Sequence, residues 1–159
     1  MIVRKAGPGD AGAMAALLNA IIVLGGTTAH QHPKTGAQVR ADYIDGPEAL
    51  TCVVAEEGGQ VIGFQAVGVW PGLPGGRGEI GTFVAPGVQG KGTGAALFAA
   101  TCAAVRAKGL AVLNATIRAD NGPGLAYYAR IGFVDFAHDP DWALEDGRKV
   151  GRISRRFDL

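Results

Sequence analysis

The amino-acid sequence predicts a mixed α/β fold around one sheet, part antiparallel and part parallel. Three observations carry this. Apolar, β-branched runs of strand length recur from Ile2 to Phe157, segments after Asp10 and after Gly94 carry an apolar helical face, and glycines separate them. With ~100 to 200 residues per domain, 159 residues read as a single domain over 1–159.

Each element follows from local chemistry. Ile2 to Lys5 reads as a strand. Asp10 is placed to cap a helix whose Met14, Leu17, Leu18, Ile21 and Ile22 share one face, and Gly25 and Gly26 end it. A loop from Thr27 to Gly36 carries His30 and His32, and Ala37 to Ile44 gives a short helical stretch stopped by Gly46 and Pro47. Thr51 to Glu56 and Val61 to Val69 form an antiparallel hairpin across Glu57-Gly58-Gly59-Gln60. Trp70 to Gly78 is a Gly/Pro loop, and Glu79 to Val84 is a strand whose pairing stops at Pro86. Gln89 to Gly94 is a glycine loop opening a helix from Ala95 to Lys108, which presents Leu97, Phe98, Thr101, Cys102 and Val105 and closes at Gly109. Ala111 to Ile117, Phe133 to Ala137 and Arg152 to Phe157 are strands, with a short helix from Gly124 to Arg130 after the first of them. Arg155 and Arg156 suit a solvated edge strand.

Composition removes several classes of function. Lys plus Arg number 15 and Asp plus Glu 14, a net charge of +1 without a long like-charge block, so a nucleic-acid partner is not expected. Hydrophobic residues reach 48% and charged ones 18%, against a usual ~25% charged, enough for a sizeable core. Cys52 and Cys102 lie far apart without a CxxC pattern, so they read as buried hydrophobes, with no disulfide framework and no metal site. Arg4 and Lys5 ahead of Ala13 to Leu24 look superficially like a secretory leader, but Gly7-Pro8-Gly9-Asp10 and Asn19 interrupt it. No apolar run reaches the ~20 residues of a membrane span, so a cytoplasmic protein with no membrane partner is expected.

The most informative stretch is Glu79-Ile80-Gly81-Thr82-Phe83-Val84-Ala85-Pro86-Gly87-Val88-Gln89-Gly90-Lys91-Gly92-Thr93-Gly94-Ala95, a strand running through glycines into a helix. Bare amides at a positive helix end make an anion seat, and a phosphate ester is the expected ligand. A nucleoside-triphosphate loop fails twice, because Ala85 and Gly92 stand where it needs Gly and Ser or Thr. Gly90, Gly92 and Ala95 meet the dinucleotide pattern literally, but too little chain follows for a two-halved domain.

Gln89, Gly92 and Gly94 also spell QxxGxG, which resembles the acetyl-coenzyme A loop of the GNAT superfamily of N-acetyltransferases. A second segment, Asn121-Gly122-Pro123-Gly124-Leu125-Ala126-Tyr127-Tyr128-Ala129-Arg130-Ile131-Gly132-Phe133, resembles that family's asparagine-to-tyrosine helix ending in Gly-Phe. Pro123-Gly124 departs from the small residue common there. The element order is similar to the family's along nearly the whole chain, with Glu79 to Phe133 the specific part.

That resemblance implies a central sheet of six to seven strands, helices on both faces, and a splay between the fourth and fifth strands. It implies acetyl-CoA as co-substrate, with the main chain of Phe83 and Val84 pairing with the pantetheine arm as an added strand. Gln89 would open the cofactor loop, the pyrophosphate would sit on the amides of Gly90, Lys91, Gly92, Thr93, Gly94 and Ala95, and Asn121 would bond the arm, with a helix cap as its simpler use. Glu79 is the implied base and Tyr128 the donor to the departing thiolate. His30 and His32 fall where the family shapes its acceptor site, and Trp70 and Trp142 border it. The expected activity is acetyl transfer to the primary amine of a small molecule, an amino acid or a xenobiotic-like amine. Acetylation of a protein terminus or lysine, and a non-catalytic binding module, are the alternatives, and the sequence leaves a homodimer open.

Overall fold

The computed structural model describes residues 1–88 and 90–159. Seven strands form one mixed sheet in the order β1-β2-β3-β4-β5-β7-β6, where β1 is Ile2–Lys5, β2 Ala49–Glu57, β3 Gln60–Gly68, β4 Arg77–Val84, β5 Val112–Arg118, β6 Val134–Asp139 and β7 Arg152–Asp158. The helices are α1 (Ala11–Leu24), α2 (Gly36–Val39), α3 (Thr93–Ala107) and α4 (Gly122–Arg130). The first four strands form an antiparallel meander. Gly58 and Gly59, at φ 57° and 78°, supply the double left-handed turn that a two-residue hairpin needs between β2 and β3.

Alternation along β2 and β3 assigns the two faces. Cys52, Val54, Phe64 and Ala66 pack under Met14, Leu17 and Leu18 of α1 and Val39 of α2, while Val67, Ile80, Leu113 and Ala115 pack with Val105 of α3 and with Tyr128 and Phe133. Burying a side chain such as Phe64 or Leu18 stabilises by ~1.5 to 3 kcal/mol, so both helical layers are held by the same means. Helices on both faces agree with expectation.

The feature that positions a site is the joint between β4 and β5. They pair in parallel through three rungs only, Arg77 with Val112, Gly78 with Leu113 and Glu79 with Asn114, and from Ile80 onward they diverge. This is the splay expected between the fourth and fifth strands.

Three expectations are corrected. Asp10 precedes α1 but does not cap it with its side chain. Its carboxylate instead accepts from the Arg4 guanidinium at 2.9 Å and from the Gly7 amide at 2.8 Å, and the arginine holds it below the usual carboxylate range. The stretch after α2 continues as a π-helical turn, Arg40–Asp45, rather than as one regular helix. Strand β7 is internal, not an edge: Arg155 donates to Asp135 of β6 at 2.5 Å and to the Leu125 carbonyl of α4, and Arg156 pairs with Asp158 at 2.7 Å. No helix among the described residues is long and apolar enough to cross a membrane. Cys52 and Cys102 are free and buried, as expected of small hydrophobes.

Candidate active site

Two lobes meet at the splay. On one side the chain leaves β4, turns, and enters α3 at Gly92, whose φ of 80° is the left-handed conformation glycine adopts at no steric cost. The first backbone bond into the helix is Ala96 N–H to the Gly92 carbonyl, at 3.1 Å. The amides of Lys91, Gly92, Gly94 and Ala95 have no backbone acceptor among the described residues, the last three because they belong to the N-cap and first turn of the helix. A hydrogen bond from an amide to a charged oxygen contributes ~1.5 to 3 kcal/mol, so this cluster outweighs the ~0.3 to 1 kcal/mol of the helix dipole. Gln89, expected to open the loop, lies outside the described residues. Gly90 and Lys91 are exposed, while Thr93 is buried. Gly94 is small for a reason sequence reading did not anticipate: a Cβ there would lie 2.6 Å from the Tyr127 ring.

Behind this loop runs a buried polar chain. The Tyr127 hydroxyl donates to the Gly94 carbonyl at 2.9 Å, Gln65 Nε2 reaches Tyr127 Oη at 3.1 Å and Thr82 Oγ1 at 2.8 Å, and Thr82 Oγ1 lies 2.8 Å from Tyr128 Oη. Thr82 stands three positions beyond the last β4–β5 rung, so the Tyr128 hydroxyl sits at the level where the strands part. Tyr128 is 7% exposed and burial pushes its phenol upward, which keeps its proton in place. Tyr127, Gln65 and Thr82 were all missed from sequence. The available signal was Gln65, a lone amide in the apolar run of β3.

Across the sheet lies a cavity of about 260 Å³, walled by Tyr43, Trp70 and Phe83 and floored by Glu79, Gly81 and Thr116. A neighbouring hollow of about 410 Å³ shares His30, Asp42, Tyr43 and Glu48 with it and adds Lys34. Phe83 stacks on Phe64 at 4.7 Å and meets Tyr43 at 5.8 Å, which fixes the apolar wall. Glu79 closes the last β4–β5 rung, and burial raises its pKa, with hydrogen bonds from Thr116 and the charge of Arg152 pulling part of the rise back. A carboxyl shifted toward neutrality is better matched to general-base work than an ordinary one.

The other expected residues divide. His30 lines both hollows and meets the Tyr43 hydroxyl at 3.2 Å, and burial with nearby Lys34 lowers its pKa, leaving a neutral imidazole. His32 does not line them: it is 74% exposed, 3.5 Å from Glu145. Trp70 lines the cavity, whereas Trp142 lies under the Arg152 guanidinium at 5.6 Å. Asn121 caps α4, accepting from the Gly124 amide at 3.0 Å, and donates to the Thr27 carbonyl at 3.1 Å. Phe83 and Val84 stand on the part of β4 beyond the β5 rungs.

Comparison with known proteins agrees with this geometry. The acetyltransferase (GNAT) family model matches residues 18–133. A mycothiol acetyltransferase of Clavibacter michiganensis subsp. michiganensis is 33% identical over 115 residues, 68% of this chain and 36% of that protein. One from Arthrobacter sp. is 31% identical over 128 residues, 73% of this chain and 39% of that protein. The chain thus spans little more than a third of these curated relatives' length. Among solved structures, a ribosomal-protein-alanine N-acetyltransferase from Brucella melitensis superposes with TM-score 0.85 at 23% identity, covering 100% of each chain. A phosphinothricin acetyltransferase from Sinorhizobium meliloti, in complex with acetyl-CoA, gives 0.84 at 22% identity, covering 99% of this chain and 88% of that one. These likenesses establish the fold. The chain belongs to the GNAT family of acetyltransferases, and the expectations of that family, of a transferase and of acetyl-CoA as co-substrate agree with these findings.

Proposed function

From that membership, we propose that the chain transfers the acetyl group of acetyl-CoA to the primary amine of a small molecule by direct attack, both substrates being held in one cleft. The observation that carries the reading is the buried carboxyl of Glu79, set where β4 and β5 part and facing an aromatic-walled cavity. Three features fit the donor: amides at Lys91, Gly92, Gly94 and Ala95 with no backbone acceptor among the described residues, the β4 edge that opens beyond Glu79, and a phenol beside that opening. When bound, acetyl-CoA supplies a thioester carbonyl open to attack.

The chain's residues do the rest. The amides of the α3 entrance hold the pyrophosphate, and the main chain of Phe83 and Val84 aligns the pantetheine arm as an extra strand. Holding both reactants in place supplies up to ~7 to 11 kcal/mol of the barrier. An alkyl ammonium of pKa ~10.4 is neutral only about one part in 10³ at neutral pH, so Glu79 is needed to take its proton. Tyr128 donates a hydrogen bond to the departing sulfur. An ordinary phenol at ~10 against a thiol near ~8.5 already makes complete proton transfer uphill by about 2 kcal/mol, and burial of Tyr128 makes it more so, so positioning is its main contribution.

The cavity charges support an amine acceptor without a carboxylate. Asp42, Glu48 and Glu79 line the two hollows against Lys34, whose ammonium is already paired with Asp42. Free-thiol release from acetyl-CoA with a panel of small amines, amino acids and lysine peptides tests the reading. Release with small amines is expected, whereas acetyl-CoA binding without release for any acceptor makes the chain a binding module.

A further inference from the structure

We propose that Thr82 and Gln65 are positioning residues for Tyr128, fixing the direction of a buried hydrogen-bond chain so that the Tyr128 proton stays free for the sulfur of the acyl donor. The inference rests on Tyr128 being the donor to that sulfur.

Counting protons orders the first links of the chain and favours one direction at the last. The Gly94 carbonyl can only accept, so the Tyr127 hydroxyl, 2.9 Å away, must spend its one proton there. Tyr127 Oη therefore accepts from Gln65 at 3.1 Å, which requires the amide nitrogen of Gln65 on that side. The second proton of that nitrogen goes to Thr82 Oγ1 at 2.8 Å, so Thr82 is an acceptor toward Gln65 and has one proton left to give. Tyr127 Oη also lies near Thr82 but has one lone pair filled by the Gln65 proton, whereas the Tyr128 oxygen, 2.8 Å away, has both lone pairs open, so the Thr82 proton is assigned to Tyr128. With the Thr82 proton given to Tyr128, the Tyr128 proton has no acceptor among the described residues.

The arrangement leaves a trace in the core. Gln65 is 0% exposed, and its Oε1 has no partner among the described residues. A buried acceptor left unpaired is a penalty that an apolar residue would avoid, so stability alone does not explain an amide on this strand. The register does explain it, because Gln65 stands directly opposite Thr82 across β3 and β4. The chain starts at the carbonyl of Gly94, in the turn whose amides face the pyrophosphate, so the two ends of the bound donor are served by one network.

Coenzyme A itself is the probe, so the test needs no acceptor. Its thiol is titrated in the binary complex by thiolate absorbance, in a window free of Cys52, whose thiol burial pushes up to about 12. The wild-type complex is expected to lower the thiol pKa by about one unit, through hydrogen bonding to the thiolate. Tyr128→Phe should return it to the free value, Thr82→Val should remove at least half of the shift, and Thr82→Ser should restore it, with the Kd for coenzyme A within about twofold throughout. Adding Thr82→Val to Tyr128→Phe should change nothing more. Gln65→Met, checked by thermal melting for intact folding, should behave as Thr82→Val does and stands in if that variant fails to fold. A shift that Tyr128→Phe abolishes but Thr82→Val and Gln65→Met leave intact overturns the inference alone. A wild-type complex with an unshifted thiol removes Tyr128 as donor and the inference with it.

Discussion

The α3 entrance and the proposed acceptor cavity are built by opposite means. At the entrance, one uninterrupted segment from Gly90 to Ala95 offers backbone amides, which every residue type but proline possesses, and side chains matter mainly by being small. The cavity is assembled from side chains at Asp42, Tyr43, Glu48, Trp70, Glu79, Phe83 and Thr116, brought together by four separate parts of the chain. The contrast teaches that a site made of main chain leaves a contiguous signature in sequence, whereas a site made of side chains leaves scattered residues that no local pattern joins.

The largest expected effect tests the first half of that contrast. Gly94→Val should abolish measurable acetyl-CoA binding by calorimetry and also lower the melting temperature, because the new side chain collides with Tyr127; overpacking of this kind costs ~1 to 3 kcal/mol. A melting point equal to wild type would show that the glycine serves the ligand and not the helix contact.

Next comes Glu79→Gln, where a single cavity side chain should carry ~10²-fold of turnover at neutral pH. The loss should shrink at high pH, where the amine sheds its own proton. Wild-type activity should rise with pH through a value above the ordinary carboxylate range, because burial raises the pKa and the ionised form is the base. The same shift has a stability consequence of definite sign. The folded state holds the Glu79 proton more tightly than the unfolded chain, so this contribution is complete at low pH and lost as pH climbs through the raised value. At neutral pH the glutamine variant should therefore melt slightly higher than wild type while turning over more slowly. A parallel pH–rate profile and an unchanged melt would mean that Glu79 is a solvated charge.

Smaller effects separate the two lobes. Tyr128→Phe should cut kcat about tenfold with little change in the KM for acetyl-CoA, since donation assists departure rather than binding. Trp70→Ala and Glu48→Gln should raise the acceptor KM by ~2 to 10-fold and leave the donor KM alone. A change in donor KM for either would blur the division between main-chain and side-chain sites.

Legibility follows the same division. The central strands were readable because each run is apolar and bounded by glycine or proline, β6 and β7 were marked mainly by the flanking Gly132, Pro140 and Gly151, and the loop was readable because Gly92 and Gly94 lie within three residues of one another. Asn121 was legible both as a motif residue and as a cap, and the cap is what its side chain makes. What failed was non-local. Nothing in Arg152 to Phe157 announces that this strand inserts between β5 and β6, so its arginines read as an edge device although Arg155 is locked to Asp135 and α4. Asp10 had a suitable type for a cap, but Arg4 on β1 outcompeted the helix amides for its carboxylate. Tyr127 stood next to the residue singled out, and its contact with Gly94 depends on how α4 crosses α3, which no spacing reveals.

The three-rung joint between β4 and β5 also makes the sheet two panels sharing a short seam. A molecule lying along that seam, with its arm on β4 and its anionic end on α3, acts as a splint across it. By mass action it adds stability of about 2.7 kcal/mol at a hundred times its dissociation constant. If acetyl-CoA binds there as proposed, the melting temperature of this protein should rise and fall with the concentration of that donor.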